Sequence, residues 1–193
     1  MCGRYALHAH PEVIALQFSL SAAPPFKPSY NIAPAAEVLV VKGDSASVAR
    51  WGLRGKFINL RAETVRAKFK TSGRCLVPAS GFYEWQSSAG RKQPFYFFPA
   101  DGSLLALAAV WEQNAFSLIT TEPNATLQGI HDRMPVIISR DDYAAWLAGD
   151  DDLLRPAPDD ALAAHPVSMA VNTAANDSPR LIESVELARG LFD

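Results

Sequence analysis

The succession of short apolar segments constrains the fold of this chain more than any other feature. The stretch "AEVLVVKGDSASVARWGL" predicts two strands around the turn signal Gly43-Asp44. Further strands are predicted at "QPFYFF", "LLALAAVW", "AFSLITT", "MPVIIS" and "VSMAVN". These segments follow one another without the strand–helix alternation of a parallel sheet. We therefore predict an α+β fold with a largely antiparallel β-sheet that curls toward a barrel.

A few helices are expected to flank this sheet. "HPEVIALQFSL" predicts a short helix with Pro11 in its first turn, and "RDDYAAWLAG" predicts a helix that ends at Gly149. "SPRLIESV" predicts a third helix, and the proline-rich "SAAPPFKPSYNIAP" predicts an extended loop. "GDDDLLRPAPDDALAAHP" is expected to be an acidic surface excursion. The length of 193 residues predicts a single domain spanning residues 1–193.

Composition indicates a cytoplasmic globular protein. The longest strongly apolar run, "LLALAAVW", is far shorter than the roughly 18 residues that a membrane helix needs. The N-terminus has no basic segment followed by an apolar one, which argues against a secretory signal. Two cysteines do not make a disulfide framework, and four scattered histidines make a structural zinc site improbable. Walker and GxGxxG motifs are absent, so we expect no metal and no cofactor.

Charge is distributed unevenly along the chain. Residues 1–75 contain 11 Lys/Arg and 4 Asp/Glu, whereas residues 76–193 contain 7 and 16, which together give the net charge of −2. Eight of the basic residues fall within 25 positions: Arg50, Arg54, Lys56, Arg61, Arg66, Lys68, Lys70 and Arg74. Such a patch suits a polyanion, although a solvated charged face would have the same composition.

Cys2 has two interpretations. If Met1 is removed, Cys2 carries an α-amine and a thiol on adjacent carbons, which is a reactive 1,2-aminothiol. Alternatively, Cys2 is an ordinary small buried residue. The residues around it do not decide between the two.

Polar side chains interrupt apolar context at three further places. Asn59 lies in "FINLRAETV", Glu84 stands between two aromatic residues in "GFYEWQ", and His131 precedes the apolar "MPVII". A carboxylate held among aromatic rings has a raised pKa and can transfer protons. Each residue also has a structural interpretation: Asn59 as a turn residue, Glu84 facing water, and His131 as a hydrogen-bonded structural histidine.

Taken together, these stretches resemble the SRAP family, the SOS response-associated peptidases that crosslink to abasic sites in DNA. The motifs "MCGRYA", "YNIAPAAEVLVV", "ARWGL", "NLRAETV", "RCLVPASGFYEW", "IHDRMPVII" and "AVNTAANDSPRLIE" occur in the family's order, from residue 1 to about residue 184. The family usually has alanine where this chain has Leu60, and "RAKFKTSG" is shorter than the family's usual connection. Both departures leave the path of the DNA open.

The resemblance implies a site and a reaction. The implied catalytic residues are Cys2, Asn59, Glu84 and His131. The implied DNA-binding residues are Gly3, Arg4, Pro34, Trp51, Arg61, Trp85, Thr120 and Arg133. Among them, the three arginines would contact phosphates around the lesion, and the two tryptophans with Pro34 would form an apolar surface on which flanking bases stack. Cys2 would form a covalent thiazolidine crosslink with the aldehyde of an abasic site, with weak strand-cleaving lyase activity and crosslink reversal as further possibilities. The expected partner is single-stranded DNA, including its junctions with duplex DNA, bound by a monomer that associates with the nucleoid.

Two alternatives stay open at the level of sequence. Cys2 and His131, with Glu84 or Asn59, would also fit a thiol peptidase in which a base activates the thiolate. A non-catalytic module that binds single-stranded DNA or junctions, with Cys2 incidental, would account for the basic patch and the tryptophans equally well.

Overall fold

The computed structural model describes residues 2–88 and 91–187. Its strands are β1 Tyr5–Leu7, β2 Ser29–Ile32, β3 Glu37–Lys42, β4 Ser45–Trp51, β5 Asn59–Arg61, β6 Gly73–Ala79, β7 Gly81–Ser88, β8 Arg91–Pro99, β9 Leu105–Glu112, β10 Ala115–Thr121, β11 Met134–Pro135 and β12 Leu162–Pro166. Its α-helices are α1 Pro11–Gln17, α2 Ala62–Val65 and α3 Tyr143–Ala148. Short 3₁₀ helices cover Arg66–Lys70, Arg140–Asp142, Met169–Asn172 and Pro179–Ile182. Within the described residues, no helix is long and apolar enough to span a membrane.

The strands form two sheets, which confirms the predicted α+β fold. One is a five-stranded antiparallel sheet in the order β12-β8-β7-β1-β2. The other closes into a barrel through the ring β10-β4-β3-β6-β9, with β9 pairing back onto β10, while β5 and β11 add to β10.

The barrel contains two parallel pairings that the sequence prediction missed. β4 and β10 run parallel, as do β5 and β10, whereas the other neighbours in the ring are antiparallel. A closed ring with an odd number of strands cannot alternate direction all the way round. The five-stranded ring therefore requires a parallel seam.

The core lies between the barrel and one face of the five-stranded sheet. Strand β7 alternates about the sheet plane, so Phe82 and Glu84 point toward the barrel while Tyr83 and Trp85 point away. The outer face is covered by the segment 167–182, whose Val167, Val171 and Leu181 pack against the outer residues of the sheet. Both faces of β7 are thus covered along most of its length, and a charged residue on its inner face is removed from water.

Several predicted elements are confirmed and several are wrong. The β3–β4 hairpin, α1 with Pro11 at its start, and the stop at Gly149, which has φ of 116°, are as predicted. "VSMAVN" is not a strand, because Ser168 caps the 3₁₀ helix Met169–Asn172 through a hydrogen bond from the amide of Ala170.

Three other predictions need correction in extent. The loop predicted over 21–34 contains strand β2, and "MPVIIS" contributes only the two residues of β11 plus an isolated bridge from Ile137 to Leu107. The helix predicted at "SPRLIESV" is a single 3₁₀ turn. This helix ends because Glu183 has an extended backbone conformation, and Ser184 then forms a β-bridge with Val167.

Candidate functional site

Cys2 lies just before β1, in a fully buried position. The side-chain amide of Asn59 donates a hydrogen bond to the Cys2 carbonyl, with 2.8 Å between Nδ2 and the oxygen. Strand β5 places Asn59 there, because it pairs parallel with β10 at Leu118. Burial, together with the nearby carboxylate of Glu84, raises the pKa of the Cys2 thiol well above its ordinary value. The thiol is therefore protonated at neutral pH.

Asn59 also has an unused acceptor. Its Oδ1 is buried, and no donor in residues 2–88 or 91–187 forms a hydrogen bond with it. A buried amide oxygen without a donor is costly, and such atoms are found at catalytic sites among other places. Asn59 thus holds the Cys2 backbone with one end of its amide and offers an acceptor with the other.

Glu84 is 1% exposed, on the inner face of β7. Desolvation is the main cause that raises the pKa of its carboxyl to about 7. A carboxyl with this pKa exchanges its proton readily at neutral pH, which is the property that a general acid–base group needs.

His131 faces Glu84 across the site. Its Nε2 lies 3.6 Å from Glu84 Oε2, and its Nδ1 lies 3.0 Å from the backbone nitrogen of Arg133. Nδ1 can accept from that N–H when it carries no proton, and it can donate to the Arg133 carbonyl at 3.2 Å when it does. Burial lowers the pKa of His131. Asp132 Oδ1, which lies 3.0 Å from Nδ1, can accept a hydrogen bond from the Nδ1–H of the charged ring.

The three predicted DNA-contacting arginines differ in their surroundings. Arg4 Nη1 donates to Asn31 Oδ1 at 2.7 Å and to the Val171 carbonyl at 2.8 Å. No carboxylate in the described parts of the chain forms an ion pair with Arg4 or with the exposed Arg61. Arg133 is instead bound by Glu63. Arg4 and Arg61 thus present positive charge that the protein does not itself neutralise.

The predicted stacking surface is only partly supported. Trp51 is 1% exposed, donates from Nε1 to the Ile58 carbonyl at 2.9 Å, and packs against the ring of Phe116. It is a core residue in this structure, and its ring presents almost no exposed surface to a base. Trp85 is half-buried, and its Nε1 donates to Asn172 Oδ1 at 2.7 Å. Pro34 is exposed and lines a cavity of about 310 Å³.

The remaining predicted residues lie around Cys2 and β10. Gly3 is half-buried between Cys2 and Arg4. Thr120 is fully buried, and its hydroxyl lies 3.4 Å from the Leu60 carbonyl. Its own carbonyl accepts a hydrogen bond from Arg133 Nη2 at 2.6 Å. Thr120 therefore contributes through its backbone, by holding Arg133.

The basic patch is partly neutralised by the acidic part of the chain. Arg66 Nε lies 3.3 Å from Asp151 Oδ2, and Arg74 forms a close ion pair with the same carboxylate. The guanidinium of Arg74 also stacks on the rings of Phe69 and Trp146. Arg74 therefore stabilises the fold, and the exposed cations of the patch are Arg50, Arg54, Lys56, Arg61, Arg66 and Lys70.

Sequence analysis overlooked two residues of this region. Asn31 is buried and binds Arg4, and its side-chain nitrogen donates to the carbonyl of Asn176 at 2.7 Å. Glu63 binds Arg133. Both residues fall inside motifs quoted above, "YNIAP" and "NLRAETV", but a neutral amide and an exposed carboxylate carry no local signal of such contacts.

Comparison with known proteins identifies the family. A family model described as SOS response associated peptidase (SRAP) matches residues 1–174. This chain belongs to the SRAP family. The abasic site processing protein YoqW of Bacillus subtilis is 35% identical, over 95% of this chain and 100% of its own length. The abasic site processing protein HMCES of Gallus gallus is 30% identical, over 84% of this chain and 68% of its own length.

A solved structure supports the SRAP fold independently. A protein of Bacteroides thetaiotaomicron superimposes with a TM-score of 0.82 at 19% identity, covering 96% of this chain and all of that one. The resemblance predicted from the motifs is thus confirmed for the family and for the fold.

Proposed function

We propose that this protein processes abasic sites in DNA, and that it does so by forming a covalent adduct through Cys2. The coarser part of the proposal is supported by its relatives, which include abasic site processing proteins at 28–35% identity. The observation that carries the finer part is the convergence of Asn59, Glu84 and His131 beside Cys2, with a buried acceptor left open on Asn59.

The reaction begins once Met1 is removed, because only then does Cys2 have a free α-amine. An α-amine has an ordinary pKa of about 7.7–8.0, so a useful fraction is neutral at physiological pH. The amine nitrogen adds to the aldehyde carbon of the ring-opened sugar, and loss of water gives an imine. The Cys2 sulfur then adds to the imine carbon and its proton passes to the nitrogen, closing a thiazolidine. Aldehyde and aminothiol thus give thiazolidine and one water.

Each polar residue has a step that suits its environment. Glu84, with a pKa of about 7, takes the proton that the amine loses on addition and returns one to the departing hydroxyl. His131 accepts or donates a proton in the opening of the sugar ring and in reversal of the adduct. Asn59 Oδ1 accepts a hydrogen bond from the α-amine or from a sugar hydroxyl.

The raised pKa of the buried Cys2 thiol supports this mechanism over that of a peptidase. A thiol peptidase attacks as a thiolate, and active cysteines have depressed pKa values. Burial raises the pKa of Cys2 instead. In the thiazolidine route the first nucleophile is the amine, and the thiol needs to give up its proton only as it adds to the imine.

DNA binding is proposed to use the uncompensated arginines and the half-buried tryptophan. Arg4 and Arg61 would contact phosphates on either side of the lesion, with Arg133 as a third contact and Trp85 as a stacking surface for a flanking base. Such contacts carry no base-specific readout, so the aldehyde would provide the specificity. We propose single-stranded DNA and its junctions as the substrate, bound by a monomer at the nucleoid, with lyase cleavage from the imine as a side reaction.

Intact-protein mass spectrometry tests the proposal. The protein is weighed before and after incubation with a single-stranded oligonucleotide that carries one abasic site. We expect a starting mass without methionine and a denaturation-resistant adduct, which Cys2→Ala abolishes. Cys75→Ala is the matched control, because Cys75 is equally buried but lies inside strand β6 and has no α-amine.

The outcomes separate the alternatives. An adduct that persists in Cys2→Ala would refute the role of Cys2. Retained Met1 with no mass shift, and tight binding that Cys2→Ala leaves unchanged, would favour the non-catalytic binding module. Cleavage of a peptide substrate that depends on Cys2, without any DNA adduct, would favour the peptidase.

A further inference from the structure

The guanidinium of Arg133 is already occupied by an anion of the protein itself. Arg133 Nη1 lies 2.5 Å from Glu63 Oε1, and Nη2 lies 3.0 Å from Glu63 Oε2, which is the bidentate geometry that arginine also uses for phosphate. Nη2 donates in addition to the Thr120 carbonyl. Nε is buried and has no acceptor in the described parts of the chain. The accessible edge of Arg133 is therefore the one that Glu63 covers.

The two partners differ in exposure. The Glu63 side chain is 55% exposed, whereas that of Arg133 is 15% exposed. The hydrogen bond from Arg133, with the charge of nearby Arg61 contributing less, lowers the pKa of Glu63, so the carboxylate is charged at physiological pH. Glu63 belongs to the short helix α2 and points outward, and it can turn into solvent without disturbing the core. Arg133 stays fixed when this happens, since Thr120 still holds it.

We propose that Glu63 competes with DNA phosphate for Arg133 and thereby weakens non-covalent binding to undamaged DNA. A phosphate can reach Nη1 and Nη2 of Arg133 only by displacing the Glu63 carboxylate. Binding of the phosphate therefore exchanges one anion for another and adds little to the affinity for DNA. Without the carboxylate, the phosphate would bind the Arg133 guanidinium without displacing another anion. The protein would therefore dissociate quickly from undamaged strands. Selection of abasic sites over intact DNA would then depend on the reaction at Cys2. This inference rests on the proposed function only in taking DNA as the ligand.

Glu112 provides a matched control. Its carboxylate also pairs with an arginine of the basic patch, with 3.4 Å between Oε1 and Arg54 Nη2. That contact is longer and single, and the Arg54 side chain is 67% exposed, so a phosphate can approach Arg54 without displacing Glu112. Removing either carboxylate changes the net charge by the same amount, so only the local competition differs.

The test measures binding of an unmodified single-stranded oligonucleotide by fluorescence anisotropy, over a series of salt concentrations. The proteins are the wild type, Glu63→Gln, Glu112→Gln, Arg133→Gln and the Glu63→Gln/Arg133→Gln double variant. We expect Glu63→Gln to bind about 3- to 10-fold more tightly at low salt, and the slope of log K against log salt to steepen by about 0.7, the value for one more phosphate contact on a single strand. Glu112→Gln should change affinity less than twofold.

The double variant separates competition from general electrostatics. If Glu63 acts through Arg133, the gain from Glu63→Gln disappears in the Arg133→Gln background. Arg133→Met, which also removes the cation, serves as a second background in case Arg133→Gln lowers the melting temperature. An equal gain in all backgrounds, an equal gain in Glu112→Gln, or weaker binding by Glu63→Gln would overturn the proposal. The oligonucleotide has no aldehyde, so failure of the adduct at Cys2 would count against the proposed function and leave this result unaffected.

Discussion

Glu84 is the residue whose environment differs most from that of an ordinary carboxylate. Burial raises its pKa from 4.5 to about 7 in the folded protein. A carboxyl with a higher pKa in the folded than in the unfolded state binds more protons when folded. Its contribution therefore makes the free energy of unfolding fall as pH rises between these two values. The site thus holds a group that suits catalysis at a cost to stability.

We expect Glu84→Gln to be more stable than the wild type at pH 8, by roughly 2 kcal/mol, with a smaller difference at pH 5. The physical reason is that glutamine cannot acquire the buried charge. Urea unfolding of both proteins at the two pH values measures the effect. Glu122→Gln, an exposed carboxylate on the loop after β10, is the control. An equal stability difference at both pH values would contradict the prediction.

Trp51 and Trp85 both occur in family motifs, but we expect their substitutions to have different effects. Substitution of Trp85 should weaken DNA binding, whereas substitution of Trp51 should lower stability alone. Trp85→Ala should weaken binding of single-stranded DNA by the folded protein by roughly 1–3 kcal/mol, because a base would lose its stacking partner. Its stability is measured alongside, because Trp85 also packs on the outer cluster and donates to Asn172. Trp51→Phe should lower the free energy of unfolding by roughly 1–3 kcal/mol and leave DNA binding of the folded protein unchanged, because its N–H bond to Ile58 is internal. Anisotropy and urea unfolding of each variant test the pair, and a binding defect confined to Trp51→Phe would refute it.

At the scale of elements, the turn 172–177 is exposed and held largely by polar contacts. The Asn31 side chain donates to the carbonyls of Thr173 and Asn176, and the amide of Tyr30 donates to Asp177. Asn31 also accepts from Arg4, and Asn172 accepts from Trp85. One buried amide therefore links the turn to the segment that carries Cys2.

Asn31→Ala should release this turn. We expect faster hydrogen–deuterium exchange across 171–177 and a loss of roughly 1–3 kcal/mol in the free energy of unfolding, because Arg4 loses one of its two acceptors and the carbonyls of Thr173 and Asn176 lose the donor on Asn31. Asn114→Ala, in the exposed β9–β10 turn, is the control. Unchanged exchange in 171–177 would show that other contacts hold the turn.

At this scale, the sequence predicted correctly those elements that are determined by neighbouring residues, and it failed for those that depend on distant contacts. The β3–β4 hairpin was predictable because Gly43, at φ of 66°, supplies the turn itself. The 3₁₀ helix Met169–Asn172 was not predictable, because the alternating apolar residues of this segment are also typical of a strand. Ser168, as a capping residue, is the one local indication of a helix. The burial of Trp51 depends on Phe116, 65 positions away, and the parallel seam depends on the number of strands in the ring. The motif resemblance identified Asn59, Glu84 and His131, which the structure brings together from three separate segments.

At the scale of the whole molecule, the acidic part of the chain holds part of the basic patch in place. Asp151 pairs with both Arg66 and Arg74, and the Arg74 side chain is 9% exposed. The charge asymmetry of the sequence therefore becomes an internal contact and is only partly available to a polyanion.

Asp151→Asn should lower the free energy of unfolding by roughly 1–3 kcal/mol, because a nearly buried guanidinium would lose its charged partner. Asp152→Asn, one position further along and exposed, should change it by less than about 0.5 kcal/mol. Chemical denaturation compares the two. Equal effects would mean that the ion pair with Arg74 contributes nothing specific.

The position of β1 has a mechanical consequence. β1 lies between β7 and β2, inside its sheet, so the segment that begins at Cys2 cannot advance toward a ligand without breaking strand pairing. If Cys2 is the nucleophile, the sugar must travel to it, and the work of distortion falls on the DNA backbone. That work is smallest where a strand is unpaired and already lacks a stacked base. Because duplex DNA is stiffer than single-stranded or gapped DNA, a fixed nucleophile would react more readily with gaps and single strands. This preference would need no protein contact that recognises them.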